Sequence, residues 1–116
     1  MHTDLSLGSA AARAREPRNR LRDALLALAD GKAAILCHEE KSWASITFAG
    51  ARHRVELEFE GAQAVQAGEL FIAFLPEHEF AIPGQLVADA AVTEVDHRIE
   101  PPRMRVKVEL LLLDDG

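Results

Sequence analysis

Apolar positions recur along the chain with two periods, and the switches between them divide it into elements. Leu21, Ala24, Leu25 and Leu28 repeat at helical spacing. Pro17 suits a first helical turn, where its missing N–H costs nothing, and Gly31 can close the helix in the left-handed conformation. The pattern predicts a first helix over 17–30. Period two then takes over in three strands, at 33–38, 42–48 and 52–59. With a turn at Ala49-Gly50-Ala51-Arg52, Phe48 faces His53, Ile46 faces Val55, and Ala44 faces Leu57. Those side chains share a face with Phe59, while Trp43, Ser45, Thr47, Arg54, Glu56 and Glu58 take the other. One apolar and one wet side is what a half-solvated antiparallel sheet requires.

Gly61 ends this stretch, and the period lengthens again. Val65, Ile72 and Leu75 form one helical stripe with Phe71 and Phe74 beside it, which predicts a single helix over 62–75. Gly68 costs that helix ~1 kcal/mol relative to alanine. A short helix at 62–67 followed by a strand at 69–75 is the competing pattern. After a connector holding Pro76 and Pro83-Gly84, a hairpin runs over 85–97 and 103–113 around Pro101-Pro102. With His97 opposite Arg103, Val92 meets Val108, Ala90 meets Leu110, and Ala88 meets Leu112 on the core side.

The expected core is therefore Ile46, Phe48, Val55, Leu57, Phe59, Val92, Val106, Val108 and Leu110. The hairpin's outer face is polar near its turn, with Thr93, His97, Arg103, Arg105 and Lys107. Farther away it is apolar, with Val87, Ala91, Leu111 and Leu113. Such a patch needs a cover, supplied by a second subunit or by Leu5 and Leu7 of the N-terminal segment. The architecture these elements imply is α+β. A mostly antiparallel sheet of about five strands, a three-stranded meander plus a C-terminal hairpin, carries two helices in the order α-β-β-β-α-β-β.

Composition sharpens the class. The 116 residues are 48% hydrophobic and 28% charged, which suits one globular domain over 1–116 with 1–16 as an N-terminal arm or helix extension. No apolar run approaches the ~20 residues that cross a bilayer, and the first residues lack the apolar core of a secretory signal. A cytoplasmic protein with no membrane partner is expected. The net charge of −6 repels nucleic acid as a whole. Residues 1–22 hold five arginines against two acids, a net of +3, which leaves −9 for the remainder. No aromatic residue is interleaved with those arginines to stack on bases. They are expected to lie against the acidic body of their own or a neighbouring subunit, with Asp89 one candidate partner.

Candidate chemistry is sparse. Cys37 is the single cysteine; it closes the apolar run Ala33–Leu36 and suits a small buried hydrophobe in a reducing compartment. His38, His53, His78 and His97 lack zinc spacing, since Ser42 stands where a helical H-E-x-x-H would place its second histidine. Neither metal nor cofactor is expected. Glu77-His78-Glu79 is the densest ionisable cluster, and two carboxylates could raise the basicity of His78 into an acid–base range. Asp89 stands alone in an apolar strand. Trp43 has one wet side, which suits an interface residue or one that packs under the first loop or helix.

The stretch Phe80-Ala81-Ile82-Pro83-Gly84-Gln85-Leu86-Val87-Ala88-Asp89-Ala90-Ala91-Val92, followed by a hairpin, resembles the closing strands of hot-dog thioesterases and dehydratases. The resemblance covers the last third of the chain and implies acyl-thioester chemistry. That family's catalytic acid or histidine sits on a long central helix before a glycine pair, whereas residues 62–75 offer only Glu69 as an acid. Two functions follow. The first is a non-catalytic binding or assembly module acting as a homo-oligomer, through Trp43, Val87, Ala91, Leu111 and Leu113. The alternative is a small hot-dog-like enzyme using Glu69, His78 or Asp89 on an unidentified small molecule.

Overall fold

The computed structural model describes residues 16–115. Helix α1 covers 16–28 of these, with Leu21, Leu25 and Ala29 fully buried along one side. It ends on two left-handed residues, Asp30 (φ 58°) and Gly31 (φ 67°). The Gly31 N–H donates to the Leu26 carbonyl and the Asp30 N–H to that of Ala27, the paired bonds of a Schellman stop. Asp30 is thus the first left-handed residue, one position before the glycine expected in that role.

Four strands follow, β1 (Ala34–Ala44), β2 (Ala49–Glu60), β3 (Gln85–Arg98) and β4 (Arg103–Asp114), with helix α2 (Ala62–Phe74) between the two hairpins. All neighbours are antiparallel, in the order β1-β2-β4-β3. Among the described residues the architecture is α+β with two helices, but the sheet has four strands, not five. The expected strands at 33–38 and 42–48 are one continuous β1, because His38-Glu39-Glu40-Lys41 does not break the ladder. Charged residues are at home on an edge strand.

The first turn also moves. It sits at Ser45–Phe48, where the Ser45 N–H donates to the Phe48 carbonyl at 2.7 Å and the Phe48 N–H to Ser45 Oγ at 3.0 Å. Gly50 belongs to β2, opposite Trp43 and Leu113. A Cβ on Gly50 would lie 2.0 Å from the Leu112 carbonyl oxygen, so this glycine permits close strand approach and makes no turn. Ile46 and Phe48 therefore leave the expected core: Ile46 is fully exposed at the tip and Phe48 is 49% exposed.

The second hairpin keeps its expected register at Val92–Val108 and Ala90–Leu110. Two bulges change its ends, with Ala88 and Thr93 as the extra residues. Val87, not Ala88, faces Leu112, and His97 faces Met104, not Arg103. Val87 thus packs against the core, and its expected place on the outer face goes to Leu86. A third bulge, at Leu36, turns Cys37 outward, where it is exposed instead of buried.

One core joins both helices to the inner sheet face, through Leu21 and Leu25 of α1, Phe71 of α2 and Val55, Leu57, Phe59, Val106, Val108 and Leu110 of the sheet. Val92 packs against it half-buried. The single helix over 62–75 holds as α2, tightening into a 3₁₀ turn at Leu75–Glu77. Gly68 lets α2 approach the sheet, since a Cβ there would meet Phe59 and Met104 atoms at 3.0 Å.

Candidate interaction surface

The helices occupy one face of the sheet, and the register builds the other row by row. Three rows across the strands are charged. Glu109 of β4 takes both Arg52 (3.0 Å) and Arg54 (3.3 Å) of β2. Glu58 of β2 takes Arg105 of β4 at 2.7 Å, with Arg103 at 3.9 Å. Lys107 of β4 meets Glu94 of β3 at 3.2 Å. The Arg105 hydrogen bond holds the Glu58 carboxyl below its ordinary range, and that with Glu94 holds the Lys107 ammonium above its own. A shallow trough of about 460 Å³ crosses this lattice over Cys37, Glu39, Glu56 and Thr93. Its two cations, Arg54 and Lys107, are paired to Glu109 and Glu94.

Toward the 45–48 turn the lattice gives way to apolar side chains. Trp43, Gly50, Leu113 and Leu86 stand on one row across all four strands. Leu111 stands on the next, between Arg52 and Asp89. Trp43 is half-buried and lies opposite Gly50, so no side chain separates it from Leu113. Leu113 is 7% exposed, Leu111 half-buried and Leu86 53% exposed. Ala91 pairs with Glu109 at the margin. Of the residues expected on an interface, Trp43, Leu111 and Leu113 stand on adjacent rows, Val87 turns inward, and Leu86 takes its place.

The expected acid–base residues do not converge. Asp89 is exposed on the outer sheet face, Glu69 is exposed on α2 across the sheet, and His78 is exposed in the connector, edge-on to Phe80 at 4.6 Å. None lines the trough. Leu5, Leu7, Arg13 and Arg15 lie outside the described residues. Arg18 turns to β1, donating to the His38 carbonyl at 2.7 Å and approaching Glu40 at 3.4 Å, while Arg20 pairs with Glu16 on α1 itself.

A histidine pair that the spacing did not suggest lies beneath Arg18 on the inner face. His38 Nε2 and His53 Nδ1 are 2.9 Å apart, and His53 is 2% exposed. His38 Nδ1 is buried without a partner. Donation from His38 Nε2–H to His53 Nδ1 leaves that orphan as a bare lone pair rather than an unmet donor. Burial, then the Arg18, His53 and Arg22 charges, lower the His38 basicity to about 4. Burial also lowers His53, against the pull of Glu40. Both rings are held neutral. The signal was present, since with the turn at Ile46-Thr47 these histidines become diagonal neighbours on one face. Among the described residues, no group of three or more His, Cys, Asp and Glu gathers closely enough to hold a metal ion. No helix among them is long and apolar enough to cross a membrane.

No family model matches the chain, and no curated protein matches it. Among solved structures it is similar to a chain in the virion of a native gene transfer agent (GTA) particle. The two share 14% identity over 87% of this chain and 92% of that one, with a TM-score of 0.50. That likeness is one of fold.

Proposed function

We propose that the chain is a non-catalytic assembly module that works as a homo-oligomer, with a homodimer as its smallest form. The observation that carries this reading is the apolar end of the outer sheet face. Trp43, Leu86, Leu111 and Leu113 share two adjacent rows there, continued by the exposed Ile46 and Phe48 of the tip. Burying apolar surface returns ~25 cal/mol per Å², so a contiguous end contributes where scattered side chains would not. The fold it shares with a chain of a virion particle supports the same reading. An exposed Cys37 thiol, with no second cysteine to pair with, suits a reducing cytoplasm.

Sedimentation at micromolar concentration tests the reading. The protein is expected to sediment as an oligomer, and Leu86→Glu with Leu111→Glu to sediment as a monomer with an unchanged circular dichroism spectrum. A strict monomer, unaffected by either substitution, overturns it. A monomer that loses stability when residues 1–14 are removed assigns the cover to that segment instead.

A further inference from the structure

The two open sides of the sheet differ. Among the described residues, β1 has β2 on one side and no strand on the other, and β3 likewise has only β4. Bulges at Ala88 and Thr93 break β3 into short runs, whereas β1 is regular from Cys37 to Ala44. The turn shows which way the backbone groups of that run point. Ser45 donates to the Phe48 carbonyl across the hairpin, and bonded residues alternate along an antiparallel ladder. Cys37, Glu39, Lys41 and Trp43 thus aim their backbone groups at β2, while His38, Glu40, Ser42 and Ala44 aim theirs at the open side. The His38 carbonyl agrees, since it accepts from Arg18 at 2.7 Å. That leaves Glu40, Ser42 and Ala44 to present theirs, the template an edge strand offers to another strand.

We infer that β1 pairs with β1 of a second copy, antiparallel about a two-fold axis at Ser42, so that two four-stranded sheets become one. The inference rests on the assembly reading and names how its copies are joined. Few registers are open, because open-side residues must face open-side residues across the axis. An axis at Glu40 needs the His38 carbonyl that Arg18 holds, and sets Glu40 against itself. An axis at Lys41 needs the same carbonyl and sets Lys41 against itself, and like charges directly opposite are destabilising. An axis at Trp43 brings Glu40 against Ile46 of the turn instead of a strand residue. At Ser42 none of this occurs. Ser42 faces its own copy, Glu40 faces Ala44, and Lys41 stands beside the other copy's Trp43, in reach of a cation–π contact.

The apolar end of the outer face commits this edge to a second copy. Across the Ser42 axis, the row holding Trp43 and Leu113 in one copy runs on into the row holding Lys41 and Leu111 in the other. Trp43, Leu86, Leu111 and Leu113 of both copies then share two rows that cross the whole joined sheet. Every other axis offsets at least one of those rows. An unrelated strand brings no such continuation. Backbone pairing along one short strand adds to the apolar contact and does not replace it, so Leu86→Glu with Leu111→Glu is still expected to give a monomer. Two different two-fold contacts carry the native assembly beyond two copies.

A cysteine scan reads the axis. In a Cys37→Ser background, Glu40→Cys, Lys41→Cys and Ser42→Cys are oxidised separately. Facing residues of a hydrogen-bonded antiparallel pair have Cα atoms about 5.5 Å apart, within the span of a disulfide. Ser42→Cys is expected to form disulfide dimers at tenfold or more the yield of the other two. Ser42→Pro removes an N–H that points to the open side, where proline is tolerated. It is expected to keep the circular dichroism spectrum and to reduce the assembly to dimers, while Ser42→Ala changes neither. A maximum at Glu40→Cys or Lys41→Cys overturns the Ser42 axis. No maximum, with Ser42→Pro sedimenting like the native protein, overturns the edge contact and leaves the assembly reading standing. A native protein that is a strict monomer and forms no disulfide sinks both. Assembly beyond a dimer only after residues 1–15 are removed assigns the edge to that segment, and also overturns the inference.

Discussion

Gly68 and Gly50 show how one missing side chain can serve packing rather than flexibility. Gly68 is mid-helix, where alanine would add up to ~1 kcal/mol of helix stability. The added methyl would press on the Phe59 ring at 3.0–3.1 Å and on Met104 Sδ at 3.0 Å. Met104 can bend away. Phe59 cannot, since it is fully buried and tilted against Phe71 with ring centroids 5.8 Å apart. Overpacking of this kind costs about 1–3 kcal/mol, which exceeds the helical gain. Gly68→Ala is expected to destabilise the fold by about 1 kcal/mol, read from the urea midpoint at an unchanged slope. Gly50 misled for the same reason. A glycine between two alanines reads locally as a turn, whereas its cause is the Leu112 carbonyl on a strand distant in sequence.

At the scale of elements, that displaced turn separated what was legible from what was not. Helix α2, the alternation of β2 and β4, and the central pairing of Val92 with Val108 follow from period and length alone. The histidine pair needed the correct partner strand, and the place of Leu86 needed a bulge, which no local pattern announces. The pair is expected to make α1 docking sensitive to acid. His38 and His53 are faced by Arg18 and Arg22 from α1 and by Glu40 from β1. In the unfolded chain His38 takes a proton near its ordinary 6.5, in the folded one only near 4. Between those values the unfolded state binds more protons, so stability falls as pH falls from 6.5 toward 4. The urea midpoint is expected to drop over that window, and His38→Gln to flatten the drop. Equal slopes for both proteins would remove the pair as its cause.

For the whole molecule, the apolar outer end of the sheet was legible because Leu110–Leu113 is apolar on both alternations. A groove between α1 and α2, lined by Leu28, Leu70 and Phe74, was not, because it joins helices separated by two strands. The two ends of the fold differ, with the exposed Ile46 and Phe48 at one and that groove at the other. The flanks behave differently. Among the described residues the three bulges, at Leu36, Ala88 and Thr93, lie on the edge strands β1 and β3, and none interrupts β2 or β4.

Edge strands offer unpaired backbone groups to any passing chain, and bulges spoil that template. Thr93 even folds its hydroxyl back onto the Lys107 carbonyl at 3.2 Å. Removing Ala88 and Thr93 together would leave every remaining side chain on its present face, since each is an extra residue opposite a single step of β4. The shortened chain is expected to fold with its core intact and then to aggregate flank to flank, seen as light scattering and thioflavin T binding that the native protein lacks. A shortened chain as soluble as the native one would show that the bulges give no such protection. On that expectation the irregularities in β3 are insulation, keeping other chains off that open side of the sheet.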